Sequence, residues 1–228
     1  MKINTSLGYQ AAEYPRCLEC LSSGWVIDKR GEHKRCPSCG AERAEARRLN
    51  RAMLPGGSWI GATFMDTDWG RPGAARHRMA LTRWALGEVQ PHLLIHGPNQ
   101  VGKTHALVAC ARRIIESGRS AHWVRMPRLL AEAPGQMMAT CIRVVKEAYD
   151  VLFLDDVGAG DHGGKFQALA YATLIGDQIE QGGAVAISTN RDPTSSDPGA
   201  HGSLIGCIGP RQQSRLVNRG TVRLDCTS

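Results

Sequence analysis

The stretch Leu93-Leu94-Ile95-His96-Gly97-Pro98-Asn99-Gln100-Val101-Gly102-Lys103-Thr104 decides how this chain is read. A short apolar run, the mark of a buried strand, feeds a glycine-rich loop of the form G-x-x-x-x-G-K-[ST]. A helical pattern then follows from Thr104 to Ser117, with Leu107, Val108, Ala111, Ile114 and Ile115 on one side. Strand, loop and helix in this order are the context the pattern needs to bind phosphate. Glycines let consecutive backbone N–H groups curl around phosphate oxygens, and the helix N-terminus adds its positive dipole. Positions Gly97, Pro98, Asn99, Gln100, Val101, Gly102, Lys103 and Thr104, with His105 next in line, are the expected nucleotide contacts. Lys103 would reach the β- and γ-phosphates, and the Thr104 hydroxyl would ligate Mg²⁺.

Working outward, Val151-Leu152-Phe153-Leu154-Asp155-Asp156 is an apolar strand ending in two carboxylates. Asp155 is placed to hold Mg²⁺ through water, and Asp156 to orient and polarise an attacking water. The stretch Ala184-Val185-Ala186-Ile187-Ser188-Thr189-Asn190 is another strand with a polar end, and Asn190 is expected between the carboxylates and the γ-phosphate. Arg211, Arg215 and Arg219 lie on a further helical stretch. Arg215 is the one expected to reach a neighbour's γ-phosphate, a contact worth about 10³–10⁵ in rate where it occurs.

The elements around these motifs alternate. Strands are expected at 93–96, 120–125, 151–154, 184–188 and 221–224, and helices at 74–89, 104–117, 126–132, 140–148, 165–181 and 211–217. Alternation of this kind implies an α/β fold, a parallel sheet covered on both faces by helices. The Ser-, Gly- and Pro-rich stretch from Thr194 to Gly209 is expected to be a flexible loop.

GPNQVGKTH, VLFLDDVG, ISTN and SRLVNRG, in that order, resemble the DnaC/IstB group of AAA+ ATPases, which contains helicase loaders and the ATPase helpers of some transposases. The resemblance covers roughly residues 60 to 225. It implies a P-loop AAA+ core that takes ATP and Mg²⁺, with Lys103 and Thr104 as nucleotide and metal residues. It further implies Asp155 and Asp156 as the acidic pair, Asn190 as sensor and Arg215 as arginine finger. It also implies ATP-dependent self-association on single-stranded DNA and delivery of a partner, in the loader's case the hexameric replicative helicase. In departure from the group's pattern, no second sensor arginine follows Arg219 and no C-terminal lid domain is expected, which points to slow hydrolysis.

The first 51 residues have a different character. They hold ten Lys plus Arg against six Asp plus Glu, and half of the eight cysteines. Cys17-Leu18-Glu19-Cys20 and Cys36-Pro37-Ser38-Cys39 form C-x₂-C, fifteen residues, C-x₂-C, a zinc-site spacing, with an iron–sulfur cluster or idle thiols as the alternatives. A Cys₄ site leaves no open position on Zn²⁺ and is therefore structural. Metal binding supplies on the order of 10 kcal/mol to such segments, which lack a core of their own. A hairpin turning at Lys29-Arg30-Gly31 is expected between the pairs. Its Lys29, Arg30, Lys34 and Arg35 suit phosphates and Trp25 suits a base, but the resemblance to helicase loaders, which often carry an N-terminal partner-binding module, implies protein contact as the expected role. The chain thus divides into a zinc ribbon with a linker helix, 1–52, and an ATPase domain, 60–228. Cys110 and Cys141 are expected in the core. His92, His96, His105 and His122 show no ligand spacing.

The net charge of +7, mostly arginine, suits a polyanionic partner. No apolar run of membrane length and no secretory leader is apparent, so a cytoplasmic protein is expected, with no membrane partner. Two functional classes remain open besides a helicase loader: a transposition ATPase and a zinc-ribbon DNA-binding regulator.

Overall fold

The computed structural model describes residues 17–21, 23–55, 62–65, 74–89, 91–159, 165–197, 202–218 and 221–226. Five strands, β3 (His92–His96), β4 (Ala121–Arg125), β5 (Val151–Val157), β6 (Ala184–Thr189) and β7 (Thr221–Asp225), form one sheet in the order β4-β5-β6-β3-β7. Every pairing in it is parallel. Parallel neighbours need crossovers, and the helices supply them on both faces, as the alternation requires.

The period of two along each strand sorts the core into two layers. Leu94, Val124, Leu152, Leu154, Val185 and Ile187 face one layer. There they meet α4 (Met126–Leu130), α5 (Pro134–Lys146), the helix from Lys165 to Glu180, α8 (Leu204–Ile208) and α9 (Pro210–Asn218). Leu93, Ile95, Trp123, Phe153 and Ala186 face the other layer, against α2 (Ala74–Ala85) and α3 (Lys103–Glu116). In that layer the Trp123 ring stacks on Phe153 at 5.7 Å, and the Trp84 ring meets Phe153 edge-on at 6.1 Å. Cys110 and Cys141 are fully buried, one in each layer.

Several boundaries differ from the sequence expectation. α5 begins at Pro134 rather than Thr140, because proline suits the first helical turn, where its missing N–H costs nothing. α2 stops at Ala85, short of Val89, at a turn through Gly87. The helix from Lys165 is not uniform: α6 (Lys165–Tyr171) passes through a π-helical turn (Ala172–Asp177) into α7 (Gln178–Glu180). The stretch read as a flexible loop contains α8, with Leu204 and Ile208 buried and the Ser203 hydroxyl accepting from the Gly206 N–H at its start. The loop composition hid a short capped helix, because only two of its residues are buried. Residues 198–201 of that stretch, and 66–73, lie outside the described residues.

The N-terminal segment folds as β1 (Trp25–Ile27) and β2 (His33–Arg35), an antiparallel hairpin, followed by α1 (Gly40–Ala52). The turn is closed by the Asp28 carboxylate, which accepts from the Arg30 and Glu32 N–H groups at 2.8 and 3.0 Å. α1 starts at the cysteines and ends in the main core, where Ala52 is fully buried and Leu49 and Leu54 pack alongside. Arg51 fastens this end, pairing with Glu147 at 3.1 Å and lying over the Tyr149 ring at 5.5 Å. Among the described residues no helix is long and apolar enough to cross a membrane.

Candidate nucleotide site and cysteine cluster

Three strand ends meet at the C-terminal edge of the sheet, where ligands bind in open α/β folds. The loop after β3 curls through Gly97 (φ +145°), Gln100 (φ +65°) and Gly102 (φ +91°). At Gly97 the requirement for glycine is steric as well, since a Cβ there would fall 2.9 Å from Cys226 Cβ, just past β7. Lys103 opens α3, is 7% exposed, and folds back so that its ammonium donates to the carbonyls of Gly97 (3.0 Å) and Pro98 (2.6 Å). Burial holds its pKa below the usual lysine value, opposed by the nearby charges of Asp156, Cys226 and Asp155. The ammonium thus rests within the loop on weak acceptors, from which phosphate oxygens can draw it.

The acidic pair ends β5. Asp155 is 3% exposed, and its Oδ1 accepts from the Thr104 hydroxyl at 3.1 Å and the Ser188 hydroxyl at 2.6 Å. Burial pushes its carboxyl above the ordinary range and the charge of Asp156 adds to this, while the bonds from Ser188 and Thr104 pull the other way. A buried carboxylate beside a threonine hydroxyl, with only neutral donors on it, is a donor set suited to a hard divalent cation such as Mg²⁺. Asp156 adopts a left-handed backbone (φ +57°), which turns its side chain out of the strand's alternation. Its N–H donates to Ser188 Oγ at 2.9 Å.

Asn190 follows β6, and its amide donates to Asn99 Oδ1 of the loop at 2.7 Å, bridging two strand ends. His105 lies on α3 with its Nε2 3.4 Å from the Thr63 carbonyl. Arg215 stands apart from this group. It pairs with Glu180 at 2.5 Å, and its guanidinium lies against Gly176 in the π-helical turn, where a Cβ would fall 2.9 Å from Nη1. Arg211 is exposed on the same helix, and Arg219 lies outside the described residues. The loop, Thr104, Asp155, Asp156 and Asn190 therefore come together within the chain, whereas the contacts of Arg215 are with Glu180 and the Gly176 turn.

Sequence reading missed Ser188, fully buried and hydrogen-bonded to both members of the acidic pair. A signal existed: Ser188 follows four apolar residues of β6, two residues before Asn190. It also missed Cys226, whose N–H donates to the His96 carbonyl at 2.9 Å and whose thiol burial raises in pKa.

The second site is the cysteine cluster. The Sγ atoms of Cys17, Cys20, Cys36 and Cys39 all lie within 4.8 Å of one another, with Cys17 to Cys36 at 3.7 Å and Cys20 to Cys39 at 3.4 Å. A tetrahedron with metal–sulfur bonds of about 2.3 Å places its sulfurs about 3.8 Å apart, so the four thiols fit Zn²⁺. Cys20 Sγ accepts from the Gly24 N–H and Cys39 Sγ from Arg43 Nε, each at 3.2 Å, contacts that suit thiolates and orient them.

Parallel order, phosphate loop and acidic strand end make this a P-loop fold of the AAA+ type. Within that class the chain is 29% identical over 160 residues to an ATP-binding protein of an insertion sequence from Mycobacterium tuberculosis H37Rv. That match takes in 67% of this chain, and the chain spans 61% of the relative's length. Its fold matches the solved DnaC helicase loader (TM-score 0.59, 18% identity, 73% of this chain and 97% of that one). It also matches DnaI (TM-score 0.56, 18% identity, 75% of this chain and 90% of that one). No protein-family model matches the chain.

Proposed function

We propose that this chain is an ATP-switched loader of the replicative helicase, with slow ATPase activity. The observation that carries the reading is the joining of a Cys₄ hairpin, through one continuous helix, to a DnaC-like core whose phosphate loop, acidic pair and Asn190 converge. ATP would draw Lys103 from the loop carbonyls to its β- and γ-phosphates, and Thr104 and Asp155 would hold Mg²⁺. Asp156 would orient the attacking water. Asn190 would exchange its bond to Asn99 for one to the γ-phosphate, so that the loop and β6 register which nucleotide is present. Arg215 would leave Glu180 to reach the γ-phosphate of a neighbouring protomer, giving ATP-dependent self-association on single-stranded DNA. The ribbon within residues 1–52, built on zinc, would hold the hexameric helicase, and the unit from residue 60 to 228 would carry the switch.

One observation favours a second reading, an ATPase helper of transposition: the 29% identical relative is an ATP-binding protein of an insertion sequence. Affinity capture separates the two. The protein is immobilised with Mg-ATP, exposed to host lysate, and the retained proteins are identified by mass spectrometry beside Lys103→Ala and Cys36→Ser controls. Retention of the replicative helicase, lost in the Cys36→Ser control, supports the loader. Retention of a transposase, or of DNA alone, overturns it.

A further inference from the structure

The hairpin carries a surface that its zinc role leaves unexplained. Cross-strand partners point to the same side of a sheet, so Trp25 with Arg35, and Ile27 with His33, share one face. The opposite face is used internally: Val26 packs on the cysteines and Lys34 pairs with Asp28. Trp25 is 45% exposed and Ile27 66%, and His33 and Arg35 are exposed beside them. Lys29 and Arg30 are exposed at the turn. An exposed indole beside the Arg35 guanidinium and His33, with further cations at the turn and no carboxylate on this face among the described residues, is complementary to a base and its flanking phosphates.

We infer that the Trp25–Arg35 face of the hairpin binds single-stranded nucleic acid independently of nucleotide at the phosphate loop. The inference rests on the DNA partner of the proposed function and not on its ATP switch. The test is fluorescence anisotropy of labelled oligothymidylate with the zinc-loaded full chain, without nucleotide and across a salt series. Trp25→Ala should weaken binding about tenfold, the worth of one stacked base, and Trp25→Phe should restore most of it. Arg35→Gln should lower the salt slope by about one. Binding that appears only with ATP, or that Trp25→Ala leaves unchanged, overturns the inference, as does a Trp25→Ala variant that keeps DNA but loses a captured protein. A Lys103→Ala protein that still binds oligothymidylate but captures no partner would sink the ATP switch and leave this face standing.

A second inference rests on different atoms. Past the acidic pair, both polar groups of Gly158 are held by side chains from other elements. Its N–H donates to Tyr171 Oη (3.2 Å), and its carbonyl accepts from Arg191 Nη2 (2.9 Å) and Nε (3.3 Å). Gly158 has φ +84°, and a Cβ there would fall 2.7 Å from Arg191 Cγ, so the approach requires glycine. Arg191 directly follows Asn190. Its N–H donates to Thr189 Oγ1 (3.0 Å), and that hydroxyl donates to the Val157 carbonyl (2.7 Å). The strand end that carries Asn190 is thus bolted to the turn that sets Asp156.

The geometry points to Arg191 as a positioning residue that transmits γ-phosphate contact at Asn190 to the acidic turn. This rests on the nucleotide reading of the loop. The readout is the ratio of affinities for a non-hydrolysable ATP analogue and ADP, by calorimetry. Arg191→Ala should bring the ratio about tenfold closer to one with ADP affinity unchanged, and Arg191→Lys should keep part of the discrimination. An unchanged ratio, a parallel loss of both affinities, or a wild-type ratio already near one overturns it. Failure of the wild type to bind either nucleotide would instead overturn the nucleotide reading itself.

Discussion

Asp155→Asn should make the nucleotide-free protein more stable while abolishing its response to Mg-ATP. Asp155 is a carboxylate at 3% exposure, and its partners within bonding distance are the neutral hydroxyls of Thr104 and Ser188. An amide oxygen can accept both of those bonds, so the substitution removes the buried charge and keeps the contacts. Relief of this kind is worth about 1 kcal/mol, or about 2–4 °C in melting temperature for a chain of this size. The pH dependence follows from the direction of the shift. Burial raises the folded-state pKa above the unfolded one, so protonation favours the folded state. The wild type therefore carries its penalty above the folded pKa and loses it as pH falls towards the unfolded value of about 3.9. The advantage of Asp155→Asn should accordingly be full at neutral pH and shrink on acidification. Scanning fluorimetry is the assay. With Mg-ATP at about a hundred times its Kd, the wild type should gain about 2.7 kcal/mol and the variant much less. A nucleotide-free variant that melts below the wild type at pH 7 would refute the argument, because the carboxylate would then be contributing contacts that an amide cannot replace.

Other outcomes follow from single contacts. Lys103→Ala should weaken ATP binding about 10- to 100-fold, measured by calorimetry, since it removes a charged donor to phosphate. Ser188→Ala strips a buried bond from Asp155 and from the Asp156 N–H, and should cost about 1–3 kcal/mol in denaturant melts. Cys36→Ser, or a strong chelator, should release zinc and expose the stretch from 17 to 39 to protease while the sheet domain survives, because the buried end of α1 belongs to the main core. His122, pushed down to about 4 by burial, is neutral when folded. Its stabilising contribution is intact above about pH 6.5 and should decline as pH falls towards 4, an acid sensitivity that His122→Phe, stacked on Tyr149 in the same way, should reduce.

How much of this was legible in the sequence depends on whether a function needs residues that are adjacent in the chain. The phosphate loop and the C-x₂-C pairs are local devices, so their spacing is written where it acts. The parallel sheet was equally visible, because strands buried on both faces must be apolar at every position, and Leu93-Leu94-Ile95 and Val151 to Leu154 are. Boundaries failed where one residue outweighed composition, as Pro134 did in starting α5 and Ser203 in starting α8. The links between motifs were not legible. Arg191 looks ordinary in sequence and acquires its role because parallel register sets the end of β6 against the end of β5, and Tyr171 does so because α6 packs behind the same turn.

The arginine shows where the local logic stops. Arg215 is legible as a cation in the right order along the chain, yet within one protomer it is committed to Glu180 and lies against the π-helical turn. That turn begins directly after Tyr171, whose hydroxyl holds the Gly158 N–H behind the acidic pair. A π-turn in mid-helix is a common mark of a functional site. Here it is the segment between the acidic turn and the arginine, so any shift at Gly158 would reach the Glu180 pair along it. Glu180→Gln should release Arg215 without touching the nucleotide site. If Arg215 acts on a neighbour, that variant should self-associate at lower ATP concentration by sedimentation velocity. An unchanged or higher requirement would place Arg215 among the residues that hold the fold.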